Sequence, residues 1–438
     1  MEEPENNLEK KIIDGDLKSR KINKNILYII IVTISIIVIG GIILLLYFLL
    51  KKDNSKEENK NKCEEGEEEK CYKCENNVCI LCNPKYTLIN GNCQSNFSLK
   101  AIYESVSDDE KVQLIYKDFK NYILDIEIDD IKIPPDNEYI FNIPGIHIVY
   151  ILIDTKNLTT LSRLFEGTSE LISVNFTNSF NTQYIQSLSN MFYNCKKLSS
   201  VDISYFNLEK VKTMNYMFYN CPLLYTINFP KLSAISLEEA SCMFFQCNSL
   251  TSIDISVLKS KNLKILNSAF FQCNSLQRID LSILDTTNVI EMKELFNGCE
   301  KLTSINLSNL KTDNLEIMSG MFWGCASLAY INISSFNTKN VVNMENLFNH
   351  CSSLRSIDLS NFNTQNVTSM NFMFYDCHNL INVDISHFTD TSLKKIAAFF
   401  HDIPSSGIIK VNKDFISYIE SVIPEDWDIR LVDNSIDN

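Results

Sequence analysis

Eight cysteines, Cys195, Cys221, Cys247, Cys273, Cys299, Cys325, Cys351 and Cys377, stand at one unbroken interval of 26 residues. A fixed period of that size marks a solenoid, because each unit is too short to bury its own apolar face and must stack on its neighbours. The interval therefore sets the fold class before any secondary structure is assigned. It also sets a functional expectation, since stacked coils build extended binding surfaces more readily than catalytic pockets.

Two further columns share the period: Leu198, Leu224, Leu250, Leu276, Leu302, Leu328, Leu354 and Leu380, and Phe192, Phe218, Phe244, Phe270, Phe296, Phe322, Phe348 and Phe374. Neither contains a polar residue, so both belong in the core. Within one coil, Val211, Met214, Phe218 and Cys221 are spaced i, i+3, i+7, i+10, which predicts one face of a short helix. After Leu224 the alternation of Ile227, Asn228 and Phe229 predicts a strand. Asn262, Asn288, Asn314, Asn340 and Asn366 form another column, with Thr286, Thr312, Thr338 and Thr364 two residues ahead of its last four members. Both residue types suit the N-cap of that helix, and stacked amides can bond from coil to coil.

The recurring phrase F-N-T-x-N-V-x-x-M-x-x-M-F-x-x-C-x-x-L-x-x-I-D-L-S, which covers residues 164–403, resembles the 26-residue leucine-rich repeat of the BspA-like surface-protein family. The resemblance implies an α/β solenoid: a right-handed leucine-rich-repeat array with a strand and a short helix in each coil. It also implies a surface role in adhesion or interaction without chemistry of its own. The end coils depart from the phrase. Thr168 stands near the cysteine position of the first, and Phe399 and Phe400 close the last without a cysteine, as capping repeats do.

Outside the array the chain divides by composition. Residues 1–25 read as a cytoplasmic tail. Residues 26–50 carry no charge and as a helix would reach about 37 Å, enough to span a bilayer. The run is too long for a signal-peptide core and continues into Lys51 and Lys52, which predicts an uncleaved transmembrane anchor. Six Lys and Arg residues precede it and five follow, so the positive-inside rule does not orient it. After a linker, 51–62, comes a cysteine cluster at 63–95: Cys63, Cys71, Cys74, Cys79, Cys82 and Cys93. Its C-x2-C-x4-C-x2-C-x10-C spacing resembles the small furin-like or growth-factor-receptor-like modules of extracellular proteins, which implies disulfides. Zinc is the competing account, but the gap between the C-x2-C pairs is short for it and two cysteines would be left over. Oxidised cysteines would place residues 51–438 outside the cytosol, giving a single-pass type II membrane protein with an extracellular repeat domain. Strand-like strings at 96–160 predict a β-rich N-terminal cap, 161–403 the solenoid, and 404–438 a C-terminal cap.

Function is expected on the surface of the solenoid. The strand column Asp202, Asp254, Asp280, Asp358 and Asp384, with Asn228, Asn306 and Asn332 between, should face outward, where it could draw a cationic partner or Ca2+, or simply be solvated. An aromatic column beside the core, Tyr193, Tyr219, Phe245, Phe271, Trp323 and Tyr375, is interrupted by Asn297 and Asn349, which predicts partial exposure and a second candidate binding stripe. Asn96, Asn157, Asn175 and Asn366 fall in glycosylation sequons. The ladder cysteines read as buried reduced thiols, and Cys242, which leaves the ladder, as an exposed one. The five histidines make no H-E-x-x-H, and no phosphate-binding glycine loop or nucleophile elbow occurs, so neither an enzyme nor a cofactor is expected. The net charge of −14 argues against nucleic acid. The expected partner is a protein or glycan at a cell or matrix surface. The alternative is a transmembrane signalling receptor with a leucine-rich-repeat ectodomain. A structural coat component is a third reading.

Overall fold

The computed structural model describes residues 71–75, 78–82, 85–89, 92–108 and 111–433. The tail, the apolar span 26–50, the linker and Cys63 lie outside the described residues, as do the side chains of Cys71, Cys74, Cys79 and Cys93. Among the described residues no helix is long and apolar enough to cross a membrane. Two hairpins come first, β1 (Cys71–Glu75) with β2 (Val78–Cys82), and β3 (Tyr86–Ile89) with β4 (Asn92–Ser95). The register sets Cys74 opposite Cys79 and Cys71 opposite Cys82, and Cys82 is disulfide-bonded.

The chain then forms β5 (Leu99–Ser105), β6 (Lys111–Gln113), β7 (Ile123–Ile128), β8 (Ile131–Ile133), β9 (Glu138–Ile140) and β10 (Gly145–Ile153). Coil strands follow: β11 (Leu171–Phe176), β12 (Ser200–Asp202), β13 (Thr226–Asn228), β14 (Arg278–Asp280), β15 (Ser304–Asn306), β16 (Ser356–Asp358) and β17 (Asn382–Ile385). Two longer strands end the molecule, β18 (Ser406–Asn412) and β19 (Asp426–Val432). The β-rich segment does not sit beside the array but continues its sheet: the order is β13-β12-β11-β5-β10-β7-β8. β5 pairs antiparallel with β11 while β11, β12 and β13 run parallel. The first coil's open edge, which would otherwise leave a row of unpaired backbone groups, is thereby closed.

The helix expected in each coil does not form. Between residues 160 and 403 the only helical turn is 3-10, at Ser256–Leu258, away from the predicted helical segment. In its place runs a chain of β-turns. The N–H groups of Met214, Tyr216, Phe218 and Asn220 donate across to the carbonyls of Glu239, Ser241, Met243 and Phe245 at 2.6–3.0 Å. Those of Met217 and Tyr219 donate back within the coil, to Met214 and Tyr216. An α-helix would use every N–H internally. Here alternate donors are given to the next coil, so stacking and turn formation share one set of bonds.

That geometry needs left-handed backbone twice per coil. Asn190 and Asn194, Tyr216 and Asn220, Cys242 and Gln246, and Phe372 and Asp376 all have φ between +54° and +63°. Each is the third residue of its turn, where a type II turn demands positive φ. The columns tolerate large residues, although non-glycine residues lose roughly 1–2 kcal/mol there. Gly324 (φ +71°) occupies one such position, and a Cβ there would lie 3.3 Å from the Gly298 backbone. Gly324→Ala is expected to destabilise the array by about 1–2 kcal/mol, read as a lowered urea midpoint; an unchanged midpoint would show that the coil relaxes around the methyl.

A parallel ladder of single bridges runs unbroken from Thr160 through Ser187 and Thr213 to Lys395. The strand ladder, by contrast, breaks at residues 252–254 and 330–332. Inside, ten rings from Phe165 to Phe400 stack at centroid spacings of 5.2–6.1 Å. Trp427 closes the far end: its indole covers Gly407 and its Nε1–H donates to the Pro404 carbonyl at 2.8 Å.

The Thr and Asn columns are not helix caps. Each buried Thr joins neighbouring coils: Thr338 Oγ1 donates to the Asn363 carbonyl (2.9 Å) and accepts from the N–H of the same residue (2.8 Å). Asn340 and Asn366 donate through Nδ2 to the Asp313 and Lys339 carbonyls of the preceding coil, both at 2.7 Å.

Candidate binding face

The cysteine ladder carries no chemistry. All eight thiols are fully buried and free. Cys221 donates to the Phe192 carbonyl and Cys273 to that of Phe244, each at 3.0 Å, and the rest repeat the contact one coil back. Burial pushes the Cys273 and Cys377 thiols up to about 12, far from the thiolate that reactivity requires. Cys242 is half-buried rather than exposed, and burial also raises its thiol, against opposing hydrogen bonds with Tyr216 and Ser268.

The aspartate column has a local structural task. Asp202, Asp254, Asp280, Asp358 and Asp384 each accept, through Oδ1, the N–H of a serine two residues on, at 2.8–3.2 Å. Asn306 and Asn332 do the same for Ser308 and Ser334. These are Asx turns that bend the chain out of the strand, and either residue type supplies the oxygen. The alternation of Asp and Asn in the column follows from that equivalence. Hydrogen bonds from Ser282 hold the Asp280 carboxyl below the usual range. Among the described residues no three His, Cys, Asp or Glu side chains gather where they could hold a metal ion.

Where the strand ladder breaks at 330–332, the outward face opens into a groove of about 410 Å³. Its lining includes Tyr330, Asn332, Ser334, Asp358, Asn361, Asn382, Asp384 and Lys410. Tyr330 is 66% exposed at its mouth. At the far end Lys410 Nζ bonds Asp384 Oδ2 at 3.0 Å. Burial works against ionisation of Asp384, yet its bonds from Ser386 and Lys410 hold its carboxyl below the usual range. Lys410 was not among the sequence candidates, although it stands 26 residues after Asp384 and pairs with it in register. Carrying the period into the C-terminal cap would have found it.

The six stripe aromatics are half-buried, and none of them lines this groove. They sit on the turn segment of each coil, so the structure does not bring the acidic and aromatic columns into one site. Tyr193, Tyr219, Phe245 and Phe271 form a continuous stack at 4.4–4.7 Å. Tyr375 belongs to a second group, stacked on His401 at 4.7 Å, beside Asp376, whose two carboxylate oxygens meet His350 (3.3 Å) and His378 (2.8 Å). Sequence reading missed this group, though His350 and Asp376 are one period apart. Asn96, Asn157, Asn175 and Asn366 are all exposed; Asn366 spends its amide on the coil-to-coil bond described above.

The model for the BspA type Leucine rich repeat region matches in six copies over residues 212–355. Residues 212–355 are a BspA-type leucine-rich-repeat region. A second model, described as Mycoplasma protein of unknown function, DUF285, matches residues 150–250 and 304–408. A leucine-rich repeat protein from Bacteroides ovatus ATCC 8483 is similar in structure, at 17% identity and a TM-score of 0.31, covering 62% of this chain and 80% of that one. No curated protein matches the chain. The BspA-type match takes in the stacked rings from Phe218 to Phe348 and the buried thiols from Cys221 to Cys351, and stops short of Asp358, Asp384 and Lys410, so the groove lies partly outside it.

Proposed function

We propose that this protein is a non-catalytic surface receptor or adhesin that holds a protein or glycan ligand on the strand face of its BspA-type array. The observation that supports this reading is the groove at the break in the strand ladder. An exposed aromatic ring stands there beside amides, carboxylates and one ammonium group, donors and acceptors that suit polar ligands with apolar faces. In the same reading, residues 26–50 anchor the chain and the array lies outside the cell. Protease added to intact cells should then remove the repeat region and spare the tail.

Glycan and protein arrays probed with the repeat-bearing region test the binding claim. A ligand found this way should lose about tenfold in affinity on Tyr330→Ala. Tyr205→Ala, a 55% exposed ring elsewhere on the array, should change nothing. Equal losses from both variants, or self-assembly with no ligand retained, would sink the proposal.

A further inference from the structure

The two ends of the molecule treat their sheet edges differently. At the N-terminal end the edge strand β8 has three residues and runs into Pro134 and Pro135, features that blunt an edge against pairing. At the other end β19 is the last strand of its sheet among the described residues. It is seven residues long, holds no proline or glycine, and pairs with β18 without a register shift from Asp426 to Val432. Among the described residues none of the usual protections is present except charge, and the charge is of both signs.

The backbone of β19 is set for a partner. The Val432 carbonyl accepts from the Lys413 N–H at 3.0 Å, so it is turned toward β18. By the alternation of a strand, Asp428 and Arg430 turn their backbone groups the same way, while Ile429 and Leu431 turn theirs outward. Ile429 and Leu431 are 39% and 59% exposed, a large fraction for aliphatic side chains next to the buried Trp427.

We propose that β19 pairs antiparallel with the β19 of a second copy of this chain, about a two-fold axis through Ile429. That axis is selected by the order of charges. It sets Asp428 opposite the partner's Arg430 and Arg430 opposite the partner's Asp428, two ion pairs from one strand sequence. In the free strand these two side chains face one another within the chain, Arg430 Nη2 to Asp428 Oδ2 at 2.8 Å, both half-exposed. The same axis places Leu431 against the partner's Trp427, so the apolar residues also find one another. The resulting dimer joins two arrays tail to tail and continues each parallel sheet into its mate through one antiparallel step.

Mass measurement of the full chain in detergent tests this, with three proteins at micromolar concentration. The wild type should be a dimer. Arg430→Asp sets Asp428 against an acidic residue at both pairs and should weaken the dimer by about tenfold. The double exchange Asp428→Arg with Arg430→Asp restores both pairs and should restore the wild-type mass. All three should give the same circular dichroism spectrum, since the substituted side chains lie outside the core, with the Arg430→Asp protein melting no lower than its weaker association accounts for. A monomeric wild type overturns the proposal. So does a dimer indifferent to Arg430→Asp, or one that the double exchange fails to rescue.

Discussion

Thr338→Val should cost about 2–4 kcal/mol although it is nearly isosteric. Thr338 is completely buried, and its hydroxyl serves both backbone groups of Asn363, donating to the carbonyl and accepting from the N–H. Valine fills the same volume and satisfies neither. Two polar groups of the next coil would be left without their partner at a part-buried junction, and each such loss costs roughly 1–3 kcal/mol. The effect should fall on the junction between two coils. Native-state hydrogen exchange is therefore the informative measurement: protection should fall for amides on both sides of 338 and hold at Cys195 and Cys221. Protection lost evenly along the array would mean that the hydroxyl is not a local junction. Unchanged protection would mean that water replaces it.

Phe322→Ala should produce the largest loss, about 3–5 kcal/mol. The ring is fully buried between Phe296 (6.1 Å) and Phe348 (5.6 Å), nearly parallel to both. Removing it leaves a void that the neighbouring coils cannot fill, because both are held by backbone bonds on either side of the gap. In a stack whose stability is the sum of nearest-neighbour contacts, the damage should appear as a split. Calorimetry should show two transitions where the wild type shows one. A single transition at lower temperature would mean that the array folds as one unit despite its repeat architecture.

These expectations rest on columns, and columns were readable from the sequence. The 26-residue interval, the absence of polar residues among the leucines and phenylalanines, and the placement of cysteine beside them led directly to a stacked core with inert thiols. The coil's interior conformation was not readable in the same way. Val211, Met214, Phe218 and Cys221 recur at helical spacing, and a chain of turns with positive φ at every fourth residue returns side chains inward at much the same interval. Periodicity reports which residues face the core but not which backbone path brings them there. The clue lay elsewhere, in the asparagines, glutamines and glycines at 194, 220, 246, 272, 298 and 324, residue types that accept or tolerate left-handed backbone.

The candidate face divides along the same line. The outward placement of the aspartates followed from alternation, but their Asx turns with the serines two residues on became clear only once the chain was seen to bend there. The acidic and aromatic columns were read as two stripes, one on the strand and one beside the core phenylalanines, and the structure keeps them on different segments of each coil.

By itself the sequence determined the repeat length, the identity of the core columns and the solenoid class, because these depend on which residues recur and a stack repeats its contacts with its sequence. Tertiary structure alone decided the turn conformation and the break at 330–332 that opens the groove. Each of these depends on how alternate backbone donors are shared between coils, and hydrogen-bond partners 25 residues apart leave no local signature in the chain.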